Sequence, residues 1–169
     1  MTDRLLNVTI FITVLFVGLF AGFVMFFVTV VNPTLQEMQL RQYIEFHQVA
    51  VPVFEPRVRA LYIIMTFSTS VWLILRYKYW KSFEAICIAG SLFCTLDEII
   101  LSYLGHYKLN EILYRVNPSA PEPLFWMSIR NEWIQFMYLH LIVTCAGFVL
   151  ILMALYFNRQ TVGQKQKSR

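Results

Sequence analysis

The sequence predicts an all-α fold: an integral membrane four-helix bundle with an extra amphipathic segment between spans one and two. Three observations carry this. Apolar residues make up 58% of the 169 residues and charged ones only 14%, with a mean hydropathy of +0.58, far from soluble averages. Four apolar runs are long enough to cross a hydrocarbon layer. Small and polar residues recur within those runs at helical spacing, as they do on contacting faces of membrane helices.

The first run, Leu5 to Val31, carries no charge and is too long for a signal-peptide core, so it is expected to remain as a helix. Asn32-Pro33 is expected to end it. From Thr34 to Val51 the pattern turns amphipathic, with Leu35, Met38, Tyr43 and Phe46 among Glu37, Arg41, Glu45 and His47. It reads as an interfacial helix or as the extramembrane start of span two. Pro52 and Pro56 are expected to kink it or separate it from the second span.

Span two runs from about Val58 to Leu75, and Arg76 to Lys81 form a short basic connection. Span three covers about Ser82 to Gly105. A polar segment, His106 to Trp133, contains Asn-Pro-Ser-Ala-Pro-Glu-Pro and is expected to be partly irregular. Span four covers about Ile134 to Phe157. The chain therefore divides into a transmembrane domain, 1–158, and a basic tail, 159–169, expected to be disordered.

Lys and Arg orient such a bundle. Arg4, Arg76, Lys78, Lys81, Arg159, Lys165, Lys167 and Arg169 fall on one side with Asp3 as the only loop acid nearby. Basic residues on the other side are balanced by glutamates, so both termini are expected in the cytoplasm. The net charge of +4 is explained by these topology signals and not by a nucleic-acid-binding face. Cys87, Cys94 and Cys145 lie in spans without a CxxC pair and read as small packing residues.

Asp97 and Glu98 are the costliest residues in the chain. An acid near the centre of a membrane helix is penalised by roughly 2.5–3.5 kcal/mol even on insertion scales, so it normally faces protein and has a partner. Cys87, Ser91, Cys94, Glu98, Ser102 and Gly105 step by four and three along span three, which puts Glu98 on the packed face and Asp97 about 100° away. On span four, Trp133, His140, Thr144 and Gly147 share a face. Counted from the nearer span ends, Glu98 and His140 lie at matching depth, roughly 9–10 Å inside. Arg57 and Arg59 enter span two from the same side and are expected to reach the same level.

Glu98 and His140 are thus the leading acid–base or ligand pair, with Asp97, Arg59 and His47 in support. The bland alternatives stay open: neutralised or protonated structural acids, a hydrogen-bonded core His140, and His47 and His106 at the interface. His47, Glu98, His106 and His140 could also assemble a metal site, although no HxxH or ExxH spacing marks one. The cofactor is otherwise open, a metal ion or none.

Gly18-Leu-Phe-Ala-Gly22, then Val31-Asn-Pro-Thr-Leu35, Tyr43-Ile-Glu-Phe-His47, Val51-Pro-Val-Phe54 and Arg130-x-x-Trp133 occur in an order that resembles a family of small four-helix membrane proteins. This anthrone-oxygenase-like family is a domain of unknown function that includes the fungal anthrone oxygenases. The family's last helix often has Asn or His four residues after the tryptophan and Arg three further on; here those positions are Met137 and His140. The resemblance implies a phenolic or polycyclic substrate that loses a proton and reacts with dioxygen in an aromatic pocket. Partners expected are membrane lipid, a hydrophobic small molecule, and a protein partner or second copy. The rival readings are a non-enzymatic subunit or assembly factor of a larger membrane complex, and a proton-linked transporter using Glu98.

Overall fold

The computed structural model describes residues 2–117 and 125–167, with side chains described over 4–117 and 125–158. Helix α1 spans Thr2–Phe26 and continues through a π-helical turn, Phe27–Val31, into α2, Asn32–Glu37. Helix α3 runs over Leu40–Leu75, and a 3-10 turn, Tyr77–Tyr79, leads to α4, Phe83–Leu101. A second π-helical stretch, Ser102–Tyr107, joins α4 to α5, Lys108–Arg115, and α6 covers Trp126–Lys167. All four rods, Arg4–Glu37, Leu40–Leu75, Phe83–Arg115 and Trp126–Asn158, are long and apolar enough to cross a membrane. At 1.5 Å per residue each is about 50 Å long, well beyond a hydrocarbon core of about 30 Å. Their ends therefore extend past it.

Much of the surface is apolar. Ile63, Phe67, Phe93 and Ile142 are each at least 66% exposed. Lipid is the solvent that tolerates such side chains without a partner. The core between the rods is built from Val17, Phe20, Val24, Met65, Trp72, Ile88 and Ile151, all nearly inaccessible.

Two expected breaks are absent. Asn32-Pro33 does not end the first helix: the π turn inserts one residue, Asn32 N–H bonds back to the Phe27 carbonyl, and Pro33 falls in the first turn of α2, where no N–H is needed. Helix α3 likewise runs unbroken through Pro52 and Pro56. The amphipathic segment is thus no separate element; from Leu40 onward it is the first part of α3, burying Tyr43, Ile44, His47 and Val51.

The connection after span three is helical as far as Arg115, and α6 begins at Trp126, eight residues before the boundary expected at Ile134. The proline-rich stretch 118–124 lies outside the described residues. The backbone of α6 continues into the segment expected as a disordered tail, whose side chains lie outside the described residues, as do residues 168–169 entirely.

Close approach separates the glycines. A Cβ on Gly105 would sit 2.7 Å from the Phe136 ring, and one on Gly147 would sit 3.1 Å from the Cys94 Cβ, so both allow α4 and its extension to press against α6. Gly22 has no heavy atom within 4 Å of such a Cβ, so it makes no tight contact despite the Gly18-x-x-x-Gly22 spacing.

At the end of the bundle that holds the termini, Arg76 clamps the Glu84 carboxylate with two hydrogen bonds, 2.8 Å from Nε and 2.7 Å from Nη2, and also donates to Asn158 Oδ1. Three helices are tied together there by one guanidinium. The sequence shows Arg76 only as a loop charge.

Candidate buried dyad and aromatic cavity

The stripe along α4 delivers its acid to α6. Glu98, only 2% exposed, places Oε2 2.5 Å from His140 Nδ1, while Oε1 accepts from Thr144 Oγ1 at 2.8 Å. His140 and Thr144 are one helical turn apart, so a single face of α6 holds both carboxylate oxygens. Thr144 lies on the expected face, where its residue type alone assigned it no role. With the carboxylate accepting from Nδ1–H, the proton-free nitrogen of a neutral imidazole is Nε2. That atom is buried and has no protein hydrogen-bond partner among the described residues.

His106 lies over His140, ring centroids 4.9 Å apart and planes within 17°. Its Nε2 is 3.0 Å from the Trp133 carbonyl; a carbonyl only accepts, so that nitrogen carries the proton. The π-helical stretch is the local cause of this placement, since it shifts the residues after Leu101 from regular α-helical register. Trp133 is the hub: its ring meets His106 at 4.6 Å and His47 at 5.0 Å, and its Nε1–H bonds Asn110 Oδ1 at 3.1 Å. Asn110 carried no sequence signal, being one polar residue of a polar segment.

His47 is fully buried and not exposed, its Nδ1 2.9 Å from the Tyr43 carbonyl one turn back. Aromatic rings from its own helix and α6 surround it, and its Nε2 has no protein partner among the described residues. Asp97 is half-buried and makes no side-chain hydrogen bond or ion pair among the described residues. Arg57 and Arg59 do not reach the acids: Arg57 donates to the Val53 carbonyl and Arg59 pairs with Glu55, each one turn away. A partner within the same helix turn needs no long, desolvated reach across the bundle. Arg130 binds the Gln36 and Met38 carbonyls at 2.9 and 3.0 Å, holding the end of α2, and its guanidinium lies over the Trp126 ring.

Among the described residues, no three His, Cys, Asp or Glu side chains form a group that could hold a metal ion. The geometry shows why for His47, Glu98, His106 and His140. Both Glu98 oxygens are engaged, His106 and His140 stack face to face, and His47 is turned into Trp133.

Beside the dyad is a cavity of about 400 Å³, walled by Phe20, Val24, Tyr62, His106, Trp133 and His140, with Glu55 and Arg59 at one edge. Its volume is in the range of small-molecule pockets, and its lining is mostly aromatic with a few convergent polar groups. It lies in the half of the bundle opposite the termini. The fold and site together define a bundle of four helices able to span a membrane, with a carboxylate–imidazole pair at an aromatic cavity. Comparison with protein-family models, curated proteins and solved structures finds no match to this chain.

Proposed function

We propose that the bundle is an integral membrane protein with both termini in the cytoplasm, and that its cavity binds a hydrophobic phenolic or polycyclic molecule from which His140 removes a proton. The observation that carries this reading is the Glu98–His140 hydrogen bond, which orients an imidazole at the cavity wall and leaves Nε2 unpaired. Glu98 fixes the tautomer and balances the imidazolium that forms on proton transfer, and Thr144 holds the carboxylate in place. The aromatic walls exclude water and stack on a flat ring.

On an anthrone-type substrate, proton removal gives an enolate whose ring carbon attacks dioxygen. The CH2 group becomes a ketone and the second oxygen atom leaves as water. The resemblance in the sequence motivates this oxidative step, and the dyad supplies the base it requires. The test is dioxygen uptake by the detergent-purified protein with an anthrone. Uptake is expected to fall at least about a hundredfold in Glu98→Gln and His140→Ala, the scale of losing a positioned base. Unchanged uptake in either folded variant would remove the assignment.

A further inference from the structure

The cavity is closed on one side and open on the other. On the side of α1 and α6 the lining is mostly buried: Phe20, Val24, Trp133 and His140 are at most 3% exposed, and Phe23 is half-buried. On α4 and its extension lining residues reach the surface: Ile99 is 36% exposed, Tyr103 65% and Tyr107 40%, and on α3 the lining residue Arg59 is exposed. Two sets of hydrogen bonds join these helices. Tyr62 Oη meets Ser102 Oγ at 2.8 Å, and Gln48 Nε2 donates to the Leu113 and Val116 carbonyls at 3.2 and 3.1 Å. Between them α3 runs for about 21 Å. This window is flanked by Pro52 and Pro56 on α3 and by the π-helical stretch on the other rod, both places where the regular helical hydrogen-bond pattern is interrupted.

The depth of the window can be counted from the opposite end. With the Arg76–Glu84–Asn158 clamp at one boundary, about 30 Å of hydrocarbon corresponds to roughly 20 residues of helix. That puts the other boundary near Pro56 on α3, Leu104 in the π-helical stretch after α4 and Tyr138 on α6. Tyr62 and Ser102 therefore lie inside the acyl layer and Gln48 outside it. The lower rim is surrounded by exposed Ile63, Ile100, Tyr103 and Leu104. The Glu55–Arg59 pair sits near the boundary itself.

From this geometry we propose that the cavity is loaded sideways from the bilayer, and that its ligand is a phenol or quinol ring bearing a hydrocarbon tail. The ring rests against His140, and the tail leaves through the window into the lipid leaflet. An apolar lower rim at acyl depth suits the hydrocarbon tail of such an amphiphile, while the polar Glu55–Arg59 edge lies at the boundary end of the same window. The inference rests on the proposed function only in taking the ring to be phenolic.

The test is equilibrium binding of naphthol and of decyl-naphthol to the full chain in phosphatidylcholine vesicles, with protein-free vesicles subtracted. Val58→Trp narrows the window from α3 and Tyr103→Trp from the opposite side; Tyr103 is exposed enough for its exchange to leave the core intact. Each is expected to weaken decyl-naphthol at least about tenfold more than it weakens naphthol. Equal loss for both ligands, or no loss for either, overturns sideways loading. Glu98→Gln is expected to weaken both ligands; if it alters neither, the dyad reading fails while the tail-selective result still stands. If the unmodified chain binds neither compound, both proposals fall.

Discussion

Glu98 and His140, 42 residues apart in the chain, meet at 2.5 Å in the interior of the bundle, and Thr144 takes the carboxylate's other oxygen. In a low-dielectric interior such a pair is worth most when complete and costs most when half removed.

That asymmetry gives a stability prediction. Glu98→Ala leaves His140 Nδ1 and Thr144 Oγ1 buried without a partner and should destabilise the bundle by about 3 kcal/mol. His140→Phe strands the carboxylate and should cost a similar amount. The double variant Glu98→Ala/His140→Phe should lose less than the two singles together, with a coupling of about 1–3 kcal/mol. Denaturation in mixed micelles measures all three. Strict additivity would mean the two side chains do not interact.

The neighbouring acid provides a contrast. Asp97 differs from Glu98 by one position and about 100° of helix rotation, is half-buried, and has no hydrogen-bond partner among the described residues. Asp97→Asn should leave ligand affinity and dioxygen uptake within about twofold, while Glu98→Gln removes most of both. Equal damage from the two substitutions would assign the function to the acidic pair and not to the dyad.

The site was legible where helical periodicity alone decides. Steps of four and three along span three separate Glu98 from Asp97, and counting from span ends matches its depth to His140, because a straight helix converts residue number directly into angle and height. The same reasoning fails where helices deviate. Asn32-Pro33 reads as a stop, but a π turn absorbs it. Pro52 and Pro56 read as breaks, yet α3 runs through them, as neighbouring helices allow in a packed apolar bundle. His47 looks exposed between Glu45 and Gln48, and only the packing of Trp133 reveals that it is buried. Arg59 reads as a partner for distant acids only while the nearer Glu55, one turn back on the same helix, is left out of the count.

The terminal-side clamp should be the largest single-residue contribution at that end. Arg76 and Glu84 side chains are 12% and 4% exposed, so neither charge is well hydrated. Arg76→Met leaves Glu84 uncompensated and should cost about 3–5 kcal/mol. Arg76→Lys should rescue only part, since an ammonium cannot reproduce the two-point fork on Glu84 while also reaching Asn158. Thermal unfolding of the three proteins in the same detergent ranks them; a lysine variant as stable as the parent would show that charge alone matters.

The two glycines Gly105 and Gly22 should respond oppositely to the same added methyl group. At Gly105 the new Cβ would lie 2.7 Å from Phe136 ring carbons, inside van der Waals contact, and Phe136 in turn packs edge-on against His106 at 5.9 Å. Gly105→Ala should therefore destabilise by about 1–3 kcal/mol and weaken ligand binding, because the displaced ring pushes on the cavity wall. Gly105→Ala/Phe136→Leu should recover part of both losses, since leucine removes the ring that obstructs the methyl group. At Gly22 nothing lies within 4 Å, so Gly22→Ala adds helix propensity without a clash and should stabilise by up to about 1 kcal/mol. Unfolding midpoints and naphthol affinity for these variants test both halves, and a destabilised Gly22→Ala protein would mean that this face is packed against something.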